Sequence, residues 1–376
     1  MFKPLSNTLH AVLLACALFA AGEVYAGDVT IGATFPMSGP NASYGDIFGS
    51  GANLAAEHVN ADNMLGGKLS IQYEDSQALP QQGIVGMTKL VNVNKVPYVL
   101  SAFTGVSKAV STVAARTKTV AVNGGGVGPD LAELGPYFWN VIPLVNVEIR
   151  SLVPYLVKER NLKRFVLVYV DDPLGQSVAK DMPAALSAAG GQMVEAMSIP
   201  VTAQQFSGIA AKVRAANPDV IYIASYGAQE LQLIKQFRDN GLNQQIASYS
   251  SFAIPEISAL PEAKGAIFTT QQMDWNSSDS VTKRFVDDYR KKYNKPPTAY
   301  IANYYNAVRL FALLAQDLNK KNLPVTGENL LKARNDLKTF DMVGGKMSFN
   351  DNGTVDMPIQ INEVDGKDGT ILHSGK

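Results

Sequence analysis

The chain has 376 residues, 33 basic against 33 acidic, and a single cysteine. Balanced charge argues against nucleic acid or an anionic membrane surface as the main partner, and a lone cysteine excludes an intrachain disulfide. A length of this order ordinarily divides into two lobes, with cores large enough to need no disulfide.

Residues 1–26 read as a secretory signal peptide. Lys3 precedes an apolar run over 11–21, and Val24-Tyr25-Ala26 has a small-residue cleavage pattern. A competing reading makes Cys16 a lipoprotein acceptor, although cleavage there would cut the apolar run in half. No other stretch is apolar for long enough to span a bilayer as a helix. The expected location is the periplasm.

The remaining chain opens with an alternating strand over 29–35. A loop, Pro36-Met37-Ser38-Gly39-Pro40, then leads through Tyr44-Gly45 into a helix with Phe48, Ala52, Ala55 and Val59 at helical spacing. In open α/β sheets such strand-end loops hold ligands, because helix amides there point into the crevice. Strands at 69–75, 96–102 and 119–123 alternate with helices at 81–94 and 106–116, and the run Gly124-Gly125-Gly126 follows. Residues 137–143 and a helix over 146–160 end this block. The alternation restarts at 165–170, an apolar run of the kind buried on both faces of a parallel sheet. Its loop is Asp171-Asp172-Pro173-Leu174-Gly175. Strands near 193–199, 220–224 and 246–249 alternate with helices near 204–216 and 228–240, and a strand at 265–270 follows. The last third holds helices over 280–293 and from Thr298 onward, then strands at 345–350 and 357–363 around an Asp351-Asn352-Gly353 turn. Two blocks of βα units predict an α/β fold of two doubly wound parallel sheets.

Catalytic constellations are missing. His58 lies in a helix and His373 near the end, without zinc-pair spacing. There is no Gly-x-Ser-x-Gly elbow and no Walker pattern, and Pro129 stands where the dinucleotide pattern starting at Gly124 needs its third glycine. The expectation is a binding protein, not an enzyme, with no cofactor and no metal site.

From Val29 to about Glu363 the chain resembles the periplasmic solute-binding proteins of branched-chain amino acid ABC transporters, the type I, leucine-binding-protein-like class. The resemblance rests on Ser38-Gly39-Pro40 with Tyr44-Gly45, the strand Val96-Pro97-Tyr98-Val99-Leu100, Gly128-Pro129-Asp130-Leu131, residues 169–175, and Ser225-Tyr226 before a helix stopped by Gly241. It implies two lobes joined by a three-segment hinge near 143–146, 271–275 and 343–346. The N-terminal lobe would be 27–143 plus 275–344, and the C-terminal lobe 144–274 plus 345–376. It also implies docking onto a membrane permease; a monomer is expected, and no nucleic acid.

The resemblance further implies a set of ligand contacts. The positions that match the family's carboxylate-holding groups are Thr104 or Gly105, Gly125 or Gly126, and Val127. Tyr44 and Tyr226 match family tyrosines, Leu174 stands in place of another, and Tyr300 matches an aromatic that closes the pocket. Phe103, with Phe252 and Trp275, offers apolar walls. The family glutamate that pairs with a ligand ammonium aligns with Ser251. A buried ammonium without a carboxylate bears several kcal/mol of uncompensated desolvation. The expected ligand is therefore a small carboxylate lacking an α-ammonium, an aromatic or other organic acid. Two alternatives stay open. One is a branched-chain or other amino acid, with Asp172, Asp274 or a shifted alignment supplying the carboxylate. The other is a ligand sensor or receptor built on the same lobes.

Overall fold

The computed structural model describes residues 27–366 and 370–374; the expected signal segment 1–26, with Cys16, lies outside the described residues. The first sheet is built from β1 (Val29–Phe35), β2 (Leu69–Asp75), β3 (Tyr98–Ser101), β4 (Val120–Asn123) and β5 (Phe138–Asn140), in the order β2-β1-β3-β4-β5. All its pairs are parallel. Its connecting helices are α1 (Ser43–Ala61), α2 (Pro80–Asn92) and α3 (Thr104–Thr117). Strands β3 and β4 are buried along their whole length, which is why they read as continuous apolar runs rather than alternating ones.

After α4 (Val145–Pro154) the second sheet begins with β6 (Arg164–Val170). It continues through α5 (Pro173–Ala189), β7 (Gln192–Ile199), α6 (Ser207–Ala216), β8 (Val220–Ala224), α7 (Gly227–Asp239) and β9 (Gln245–Ser248). The short helix α8 (Pro255–Ser258) precedes β10 (Ile267–Gln271). The chain then returns to the first lobe with α9 (Ser280–Tyr293), α10 (Ala299–Lys320), α11 (Gly327–Leu337) and the hairpin β11 (Thr339–Met342) and β12 (Gly345–Ser348). Strands β13 (Ile359–Glu363) and β14 (Thr370–Ser374) complete the second sheet, in the order β14-β13-β10-β9-β8-β6-β7.

In each sheet the first strand of the block has later strands on both sides: β2 and β3 flank β1, and β7 and β8 flank β6. Each sheet therefore has a switch point at the carboxyl ends of two neighbouring strands, where diverging loops leave a crevice. The loops after β1 and β3 face those after β6 and β8.

Two expectations change in the structure. The second sheet is mixed, because β13 pairs antiparallel with β10 and β14 antiparallel with β13. Strand β13 begins opposite Gln271, where β10 ends, and no helix carries the chain back to start it in the parallel direction. The third crossing also lies later than 343–346. Phe349 packs its ring on Trp139 and Phe340, and the Asn140 amide donates to the Gly353 carbonyl at 2.8 Å. These contacts hold 345–355 against the first lobe, and the chain crosses between Val355 and Ile359. Helix α11 and strand β14 had no counterpart in the sequence reading.

Helices α1 and α10 lie against each other so closely that only a glycine fits at one point. A Cβ on Gly51 would stand 2.1 Å from the Ile301 carbonyl oxygen, whereas one on Gly49 would meet nothing within 4 Å. Phe48 and Tyr304 stack beside this contact with ring centroids 4.5 Å apart. Gly51→Ala should cost about 1–3 kcal/mol through backbone separation, and Gly49→Ala should be neutral or stabilise by up to ~1 kcal/mol. Urea unfolding of the two variants checks this; equal effects would remove the close approach as a constraint.

Candidate functional site

The two switch points border a cleft, partly open to solvent, with about 350 Å³ of empty space. From the first lobe it is lined by Tyr44 and Phe48 at the start of α1, Phe103 and Thr104 after β3, Gly125, Gly126 and Val127 after β4, and Tyr300 in α10. From the second lobe come Asp172 and Leu174 after β6, Tyr226 after β8, and Tyr249 and Ser251 after β9. Of the residues expected at the site, Gly105, Phe252 and Trp275 do not border this cleft; Gly105 faces Pro80 and Pro173 instead. Phe252 is buried in the second lobe's core, with its ring near Phe268, and Trp275 lines a different cavity. Phe48, Tyr249 and the Asp172 side chain complete the wall.

The lobes touch across the cleft. Phe103 meets Tyr226 edge to face at 5.3 Å between centroids and Tyr44 at 5.4 Å. Phe103 itself sits at φ +63° as the residue before α3, a conformation an aromatic residue rarely adopts. That backbone turn places the ring between the tyrosines of both lobes. The first-turn amides of α3 have no intrahelical acceptor, and Thr104, the first residue of that turn, borders the cleft.

Other polar groups are already engaged. Asn123 Oδ1 accepts from the Gly125 and Gly126 amides at 3.2 and 2.7 Å, so the glycine run is pinned by its own strand end. This alters the expectation that those two amides are free for a carboxylate. Asp172 caps α5: its Oδ1 accepts from the Gly175 amide at 2.9 Å and its Oδ2 from the Tyr226 hydroxyl at 2.7 Å. With both oxygens committed, Asp172 orients Tyr226. Leu174 adds apolar surface.

Ser251 does not stand alone. Its Oγ donates to Glu230 Oε1 at 2.6 Å, and Glu230 is fully buried, its Oε2 without a partner among the described residues. Burial pushes the Glu230 carboxyl well above its ordinary pKa, against the hydrogen bonds of Ser251 and Ser248, which favours the neutral acid. Burial, with the nearby Glu230 carboxyl adding to it, also holds the Tyr44 hydroxyl in its protonated form, and that hydroxyl has no hydrogen-bond partner among the described residues. The sequence reading missed Glu230. Its signal was available: Glu230 falls on the same face of α7 as Leu233, Ile234 and Phe237, an acid on an apolar stripe.

A second buried acid holds the Ser251 turn in place. Glu148 accepts from the Ser250 amide and hydroxyl, both at 2.8 Å, and from Thr269 Oγ1 at 2.6 Å. Burial outweighs these donors and pushes its pKa up to about 7. A carboxyl raised in the fold keeps a proton the unfolded chain has lost, so stability falls as pH rises from about 4.5 to about 7. The loss from Glu148 is on the order of 3 kcal/mol. Urea unfolding of wild type and Glu148→Gln across pH 5–8 should give a stability difference that drifts by that amount; a pH-independent difference would place the titration elsewhere.

Comparison with known proteins agrees with this architecture. The family model for periplasmic binding proteins matches residues 28–370. The Leu/Ile/Val-binding protein BraC3 of Rhizobium johnstonii is 28% identical over 354 residues, covering 92% of this chain and 94% of the relative. A leucine binding protein, LivK, from Thermotoga maritima superposes with a TM-score of 0.85 at 20% identity, covering 93% of this chain and 99% of that one. An ABC transporter solute-binding protein from R. palustris, solved in complex with benzoate, superposes with a TM-score of 0.83 at 18% identity, covering 93% and 96%. At these identities the two structural likenesses establish the fold.

Proposed function

The chain belongs to the periplasmic binding protein family, in its type I, branched-chain amino acid branch, and on that premise we propose that its ligand is a small aromatic carboxylate held in the interlobe cleft. It is a solute-binding component of an ABC transporter, a family whose members serve transport rather than catalysis and work outside the cytoplasm. Among the described residues no helix is long and apolar enough to cross a membrane. Docking of the closed monomer onto a membrane permease is part of the same proposal.

The observation that carries the ligand class is the wall of the cleft. Six aromatic rings, those of Tyr44, Phe48, Phe103, Tyr226, Tyr249 and Tyr300, surround it. Neither nearby acid offers an ammonium a ready counter-charge: burial raises the pKa of Asp172, which already accepts from Gly175 and Tyr226, and Glu230 is favoured in its neutral form. A flat ring fits edge-to-face and offset contacts worth about 0.5–1.5 kcal/mol per aromatic pair beyond burial. The carboxylate would take the α3 amides and the Tyr44 hydroxyl. The benzoate held by the R. palustris structural neighbour is in keeping with this.

A second reading, an aliphatic α-amino acid, is favoured by the free Glu230 Oε2, which an ammonium would draw into its ionised form, and by the Leu/Ile/Val-binding relatives. Thermal shift with benzoate, 4-hydroxybenzoate, leucine and isoleucine separates the two. A ligand at 100 times its Kd adds about 2.7 kcal/mol of stability. The aromatic acids should shift the melt, and Glu230→Gln should leave their affinity within about threefold. If only the aliphatic amino acids bind, and Glu230→Gln weakens them by roughly a hundredfold through loss of a buried pair, the aromatic reading is wrong.

A further inference from the structure

Behind the cleft lies a larger cavity, with about 1130 Å³ of empty space, partly open to solvent. Two short segments form the wall between them. Ser251 and Tyr300 face the cleft, while Ala253, Ile254, Thr298 and Ala299 face the cavity. Both lobes build it: Phe268, Trp275 and Ile254 come from β10, the segment after it and the start of α8, while Arg290, Lys295 and Thr298 come from the end of α9 and the start of α10.

The composition is that of a binding site rather than a packing defect. Phe268 and Trp275 give it an apolar body with two aromatic faces. Arg290 and Lys295 are exposed, and among the described residues neither has an ion-pair partner. Among the described residues Thr298 Oγ1 is buried without a hydrogen-bond partner, and it does not cap α10, a helix of 22 residues whose first amides start beside it. An orphaned buried hydroxyl costs free energy that a bound acceptor would recover. Two unpaired cations, an uncapped helix start and aromatic walls favour one chemistry.

We propose that this cavity is a second binding site, distinct from the interlobe cleft, for a small organic anion with a flat apolar body. The charged end faces Arg290, Lys295 and the Thr298 hydroxyl, and the ring system lies against Phe268 and Trp275. Such a ligand touches both lobes beside the chain segments that join them. The inference does not depend on what the cleft holds.

The test uses 1-anilinonaphthalene-8-sulfonate, an aryl sulfonate that fluoresces in apolar surroundings. The chain has two tryptophans, and Trp139 is fully buried in the first lobe, so Trp275 is the reporter at this site. The probe should bind saturably and quench tryptophan emission, and Trp275→Phe should remove most of that quenching while directly excited probe emission persists. The double variant Arg290→Ala, Lys295→Ala, and separately Ala259→Phe, which fills the exposed edge of the cavity, should each weaken binding at least tenfold. The uncharged N-phenyl-1-naphthylamine should bind at least tenfold more weakly than the sulfonate. Tyr226→Ala, at a residue that does not line the cavity, should leave probe affinity unchanged. Circular dichroism confirms that each variant is folded. Probe binding that survives both cavity variants but is lost in Tyr226→Ala would place it in the cleft and overturn the proposal, as would non-saturable binding or equal affinity for the uncharged probe.

Discussion

Two parallel sheets can enclose a ligand only if the carboxyl ends of their strands face each other, and this constraint governs the molecule. Each sheet leaves its crevice where successive strands are laid down on opposite sides of the first. The loops that meet across the gap are therefore those after β1, β3 and β4 from one side and β6, β8 and β9 from the other. The ring of Phe103 against Tyr226 is where the two halves touch most directly at the cleft. The unusual backbone at Phe103 belongs to that contact, since a residue in an ordinary extended conformation would aim its ring elsewhere.

Burial decides the chemistry behind this aromatic wall. Glu148 and Glu230 both sit in surroundings where the charged form is costly, and both are surrounded by hydroxyl donors. They differ in what is left over. Glu148 has both oxygens engaged and holds the Ser250–Phe252 turn in place. Glu230 keeps one oxygen free beside the cleft wall, a reserve of charge that a cationic group could call on and an anionic ligand would leave neutral. On the ligand reading proposed above, discrimination between ligand classes would turn on the protonation of this buried acid as well as on shape.

Much of the site was legible in the chain because it lies in loops at strand ends, and strand ends follow from periodicity. Tyr44, Thr104, Leu174, Tyr226 and Ser251 all come two to nine residues after a strand that alternation or an apolar run marks out. Phe48 and Glu230 were harder, since both lie inside helices where a buried face is ordinarily core. Gly125 and Gly126 border the cleft, yet their amides turn to Asn123, an engagement set by one side-chain rotamer. Ser251 as the sole polar group at its position was misleading: its partner Glu230 is 21 residues away in sequence.

By itself the sequence determined the βα alternation, the two-lobe division and the loops that would carry the ligand. Those features depend on local hydrophobic period and on where turns interrupt it. The tertiary structure decided the antiparallel end of the second sheet, the late third crossing, and the meeting of Glu230 with Ser251. It also separated Trp275 from the cleft and gave it a cavity of its own. Such outcomes depend on contacts between segments far apart in the chain, which no local period records. They also fix how far each buried carboxyl is removed from water, and so which ions the protein can accept.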